Sequence, residues 1–156
     1  MTLQHKVKVL DCKSSQNEYL HKDFHGALCY AIKYLDEKLG PDATSEYLKQ
    51  IGKEVFSHLI AAIKSDGLIA IDRHFKKIFE LENGKADFQI ENNQLTINVS
   101  KCPAISHLKS TGQLFTDRYC LTTVILNKTV CEQAGYKCSC RYKPYEGKCI
   151  QKFWKE

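Results

Sequence analysis

The sequence predicts an α+β domain, with N-terminal helices packed on an antiparallel sheet formed by two β-hairpins, in the order ααα-ββ-α-ββ. Three observations carry this expectation. Apolar residues recur every three or four positions up to residue 84, the period changes to two from residue 85, and residues 137–154 repeat the strand pattern around a Pro/Gly turn.

Asp23 is placed to cap a helix from Phe24 to Leu39, with Gly40 at the C′ position and Pro41 preventing continuation. A second helix is expected from Thr44 to Ser65, where Tyr47, Ile51, Val55, Leu59 and Ile63 form a stripe beside Leu48, Phe56 and Ile60. SDG at 65–67 breaks it. A third helix over 68–81 turns Leu68, Ile71, Phe75, Ile78 and Phe79 inward, and ENG at 82–84 closes the helical block. In ADFQIENNQLTINVS the run with Phe88 and Ile90 is joined through ENNQ to the run with Leu95, Ile97 and Val99, which reads as a hairpin. Residues 115–133 read as a further helix, ended by Gly135. KCSCRYKPYEGKCIQKFW then reads as a second hairpin turning through KPYEG. The whole of 1–156 is expected to form one domain, with 1–84 a mainly helical subregion and 85–156 a hairpin-helix-hairpin subregion.

Composition excludes several classes. Hydrophobic residues at 43% and charged residues at 26% argue for a globular chain and against disorder. The longest apolar stretch, LIAAI at 59–63, is far short of a membrane span. The N-terminal MTLQHKVKVLDCKSS lacks an apolar secretory core, so a cytoplasmic location and reduced thiols are expected for the eight cysteines. The net charge of +5 is scattered, with RHFKK and CRYKPYEGK the densest basic segments; no nucleic-acid partner is expected, and a homo-oligomer is compatible with these features.

Three clusters carry candidate chemistry. In HKDFHGALC, His21, His25 and Cys29 share a helical face, beside Asp23. Residues eight apart on a helix lie about 12 Å apart, too far for His21 and Cys29 to share a zinc held at about 2.0–2.3 Å. Only an i, i+4 pair can do so. In KCPAISH, Cys102 follows the first hairpin and His107 follows five residues later, a combination suited to thiol attack on an electrophilic carbon. In the last third, Cys131, Cys138, Cys140 and Cys149 are candidate thiolates for zinc or an iron–sulfur centre, although nothing in the sequence requires a cofactor. The hairpin register decides the face of Cys149: it joins Cys138 and Cys140 when Lys143 opposes Lys148, and leaves them when Pro144 does. His5, His58 and His74 read as solvated.

HKDFHGALCYAIKYLDEKLG, followed by KCPAISHL and a closing hairpin, resembles the L-2-amino-thiazoline-4-carboxylic acid hydrolase-like family over about residues 18–154. CEQAGYKCSCRY is also similar to the end of the 4-vinyl reductase domain, a ligand-binding module, with Cys131, Gly135 and Cys138 at the matching positions and the last spacing one residue shorter. The first resemblance implies hydrolysis of a cyclic amidine or related C–N bond in a small sulfur- and nitrogen-containing heterocycle, opened toward an N-carbamoyl cysteine.

Two readings follow. In the first, a small-molecule hydrolase uses Cys102 as nucleophile, His107 or His25 as general base and Asp23 to orient His25, with His21 and Cys29 contacting substrate. In the second, a non-catalytic domain binds a small molecule or senses metal or redox state through its thiolates. The enzymatic reading requires the start of the first helix and the segment after the first hairpin to meet at one cavity.

Overall fold

The computed structural model describes residues 23–155, apart from the side chain of Asp23. Helices α1 (Asp23–Lys38), α2 (Pro41–Glu54), α3 (Ser57–Asp66) and α4 (Leu68–Leu81) precede the hairpin β1 (Lys85–Glu91) and β2 (Gln94–Lys101). Helices α5 (Pro103–Ser110) and α6 (Leu121–Ala134) then lead to the hairpin β3 (Lys137–Lys143) and β4 (Lys148–Trp154). The two hairpins form one antiparallel sheet in the order β1-β2-β4-β3. This is the expected α+β architecture, with four helices ahead of the strands where three were expected. No described helix is long and apolar enough to cross a membrane.

The fourth helix comes from a break in the long second one. The backbone departs from α geometry at Phe56, φ −96° and ψ 16°, between α2 and α3, while the Val55 N–H still donates to the Ile51 carbonyl; the Ser57 hydroxyl donates to the Glu54 carbonyl at 3.0 Å, a local bond that competes with the helical ladder. The apolar stripe runs across this break, which is why periodicity alone reads one helix. Pro41, expected to stop α1, also starts α2, since its missing N–H costs nothing in a first turn. Two further differences follow the first hairpin. Pro103 opens the short helix α5, with Cys102 at its N-cap, where the sequence suggested an irregular connection. Helix α6 begins at Leu121, not 115, because residues 116–122 form tight turns, Tyr119 N–H to Thr116 carbonyl and Thr122 N–H to Tyr119 carbonyl, both at 3.0 Å.

The hairpin chemistry is local. Asn92 and Asn93 both take positive φ, 49° and 58°, as a two-residue type I′ turn demands, and asparagine tolerates this better than most residues. In the second hairpin Lys143 opposes Lys148, so Cys138, Cys140 and Cys149 share the inner face. Its turn is fastened to α5: the Cys102 N–H donates to the Gly147 carbonyl at 2.8 Å, and Lys109 Nζ donates to the Tyr145 carbonyl.

The helices cover one face of the sheet. Leu95, Ile97, Val99 and Phe153 point into them and pack with Ile63, Ile71, Phe79 and Val130. Each such side chain contributes about 1.5–3 kcal/mol by leaving water. The opposite face carries Lys85, Asp87, Asn98, Ser100, Ser139 and Arg141 and is exposed. A second apolar cluster joins Leu28, Cys29 and Ile32 of α1 to Leu48, Ile105, Leu108 and Tyr119. Helix α6 touches both, through Val130 and Cys131 on one side and Ile125 on the other.

Candidate functional site

Between the two clusters lies a cavity of about 280 Å³, walled by α1, α3, α4, α6 and the inner face of the sheet. Its walls are mostly aliphatic and aromatic carbon, including Leu59, Ile71, Phe75, Val99 and Leu126, and Phe24, 60% exposed, sits at its rim. Among the described residues lining it, Glu82 is the one carboxylate, and no lysine or arginine is present.

At one end, His25 of α1 is held through both ring nitrogens. Its Nε2 lies 3.0 Å from Glu82 Oε2, just past the end of α4, and its Nδ1 lies 2.9 Å from the Tyr119 hydroxyl. An ionised carboxylate only accepts, so with neutral His25 the proton is on Nε2 and Nδ1 accepts from Tyr119. Burial, reinforced by the neighbouring Cys102, Cys29 and Glu82, pushes the Tyr119 pKa up, so the hydroxyl keeps the proton it donates. The His107 ring stands 6.3 Å from that of His25, centroid to centroid.

Cys102 lines the same cavity. Burial raises its pKa, and the nearby Cys149 and Glu82 add to this; the first-turn amides of Ile105 and Ala104 pull the other way without capping geometry. Cys102 therefore rests as a neutral thiol. His25 has no ring nitrogen left to take its proton while bound to Tyr119 and Glu82.

The structure thus brings His25 and Cys102 to one cavity and His107 beside it. The carboxylate against His25 is Glu82; the Asp23 side chain and all of His21 lie outside the described residues. Cys29 does not reach the cavity. It is fully buried in the α1 cluster, where its sulfur accepts the Thr116 N–H at 3.2 Å, and it has no surface with which to contact a substrate. His74 is not a solvated residue, since it is half-buried and lines the cavity.

The four C-terminal cysteines form two hydrogen-bonded pairs, Cys131 with Cys138 and Cys140 with Cys149. Among the described residues no group of three or more His, Cys, Asp and Glu side chains is arranged to hold a metal ion. The reason lies in the fold: Cys131 and Cys138 meet at the α6–β3 junction, while Cys140 and Cys149 meet farther along the hairpin.

Glu82, Tyr119, Asn127 and Gln151 were missed by sequence reasoning. Glu82 and Tyr119 sit in turn-like stretches without a motif. Gln151 did carry a signal, as the polar member of the inward series Cys149, Gln151, Phe153. No protein-family model matches the chain, and no curated protein matches it.

Proposed function

We propose that the protein binds a small, mainly apolar molecule in this cavity, with its hydrogen-bonding end directed at His25, Glu82, Tyr119 and Cys102. The observation that supports it is the cavity itself, about 280 Å³ of largely apolar wall with convergent polar groups at one end. The seven free cysteines of the described residues suit a reducing compartment such as the cytoplasm. N-phenyl-1-naphthylamine, a neutral dye that fluoresces in apolar surroundings, tests the reading. Wild-type protein is expected to bind it saturably, and Thr123→Phe, which adds a ring to the wall, to weaken binding at least about tenfold. A wild type that leaves the dye dark, or a folded Thr123→Phe that binds equally well, rejects the reading.

A second reading, hydrolysis of a cyclic amidine, is favoured by the meeting of His25, Glu82, Tyr119 and Cys102 at one end of the cavity. Here the substrate draws the Tyr119 hydroxyl away from His25, whose freed Nδ1, with Glu82 still on the Nε2–H, takes a proton from a water attacking the amidine carbon, and Tyr119 protonates the departing atom as the ring opens. It ranks second because a carboxylate-bearing substrate finds no lysine or arginine among the lining residues. Incubation with 2-aminothiazoline-4-carboxylate, followed by proton NMR, should show turnover that falls at least about a hundredfold in His25→Ala. Turnover unchanged by that variant would remove the reading.

A further inference from the structure

On the sheet side of the cavity, a second polar group is built around one sulfur. Gln151 of β4 points inward and is 4% exposed, an unusual position for an amide unless both of its ends are satisfied. They are. Its Oε1 accepts from Asn127 Nδ2 of α6 at 2.8 Å, and its Nε2 donates to Cys149 Sγ at 3.4 Å. With the amides so oriented, the Gln151 Nε2 faces the sulfur. Cys140 supplies a second donor. It pairs with Gln151 across the hairpin while Cys149 pairs with Tyr142, so the two thiols are diagonal neighbours on the inner face and the Cys140 S–H donates to Cys149.

Two donors converging on one sulfur stabilise its thiolate over its thiol. Against the opposing effect of burial, the Cys140 hydrogen bond lowers the Cys149 pKa to about 7 with help from Gln151. The other three cavity thiols go the opposite way: burial raises Cys102 and raises Cys120 to about 11, and the hydrogen bond with Cys138, with burial, raises Cys131. Cys138 is also lowered, by its hydrogen bond from Cys131, but it does not line the cavity.

We propose that Cys149, with Cys140 beside it and the Asn127–Gln151 amides behind it, is the nucleophile of the cavity and captures soft carbon electrophiles of the Michael-acceptor class carried on an apolar body. Because such a body must enter the cavity, this rests on the binding reading above. The Cys149 sulfur bonds to the β-carbon of an α,β-unsaturated carbonyl, and the π pair moves through the α-carbon to the oxygen. The α-carbon takes the Cys140 proton, and Cys140 is reprotonated from water, leaving a thioether.

Pulse labelling with N-phenylmaleimide, an apolar Michael acceptor, and in parallel with iodoacetamide, followed by peptide mapping, tests this. With its pKa lowered while that of Cys102 is raised, Cys149 carries more thiolate at pH 7, and even with the weaker intrinsic nucleophilicity of a more acidic thiol it should react at least about fivefold faster than Cys102. Its pH–rate curve should inflect near 7. Gln151→Met and Cys140→Ala, which each remove a donor, should each slow it and move the inflection up, with circular dichroism confirming that the variants fold. A preference for Cys149 with iodoacetamide alone overturns the proposal through the cavity reading. No preference with either reagent, or rates unchanged in both variants, overturns it at the sulfur.

Discussion

Glu82 concentrates the negative charge of the cavity on a carboxylate whose side chain is only 13% exposed. Glu82→Ala strands the His25 Nε2–H and should cost about 1–3 kcal/mol in urea unfolding. Glu82→Gln keeps an accepting oxygen at the same reach and should cost less than half as much. A second residue-scale expectation concerns acid. Burial, with the Lys77 charge adding to it, depresses the His74 pKa below its ordinary 6.5. Above that pH the ring is neutral in both folded and unfolded chains, and stability is full. As pH falls below 6.5 the unfolded chain protonates first, so stability declines until the folded pKa is passed, by at most about 1.4 kcal/mol per pH unit. Chemical denaturation across pH 4–8 should show this decline, and His74→Gln should flatten it.

Among the elements, close approach and turn chemistry set the sensitive positions. Gly52 of α2 faces α6 so closely that an added Cβ would stand 3.0 Å from Thr129 Cβ and Cγ2. Gly52→Ala should therefore cost about 1–3 kcal/mol by overpacking, despite alanine's better helix propensity of about 1 kcal/mol. Thr129→Ser, which removes Cγ2, should recover part of the loss. In the first hairpin Asn93→Gly should stabilise by a few tenths to about 1 kcal/mol, and Asn93→Val should destabilise by about 1–2 kcal/mol, because φ is 58° there. Both are read from the thermal midpoint. That hairpin was legible because its turn and alternation are written in adjacent residues, and α4 was legible over its full 68–81 span for the same reason. The break at Phe56 and the start of α6 were not, since they depend on a hydroxyl–carbonyl bond and on tight turns that leave the apolar pattern unchanged. Pro103 at the first helical position was a readable signal for α5 that the expectation of an irregular connection overrode.

Across the whole molecule, the cavity forms only when chain segments far apart in sequence meet, from His25 and Glu82 to Cys102, Tyr119 and Gln151. Sequence reasoning picked out His25 and Cys102 from their local density of reactive groups. It had no access to Glu82 or Tyr119, whose part comes from long-range contact with His25. Cys29 takes the ordinary place of a reduced cysteine, buried as a small apolar side chain inside a helix cluster, as the chain's reduced thiols are expected to be. Because α6 belongs to both clusters, helices and sheet should unfold together: fluorescence of the sole tryptophan, Trp154 in β4, and far-ultraviolet circular dichroism should give coincident urea midpoints. A separate helical transition would refute this.

The same position of α6 governs how the protein tolerates sequence change. A helix lying on a surface accepts variation along one flank and refuses it along the other, so substitutions score with a beat of three to four residues. From Leu121 to Asn127 every residue of α6 is at least partly covered, and Thr129 to Cys131 are buried. Saturation mutagenesis of residues 121–131 should return intolerance without that beat, relieved at exposed Lys128 and at Thr123, which borders the cavity, where α4 would show the beat plainly.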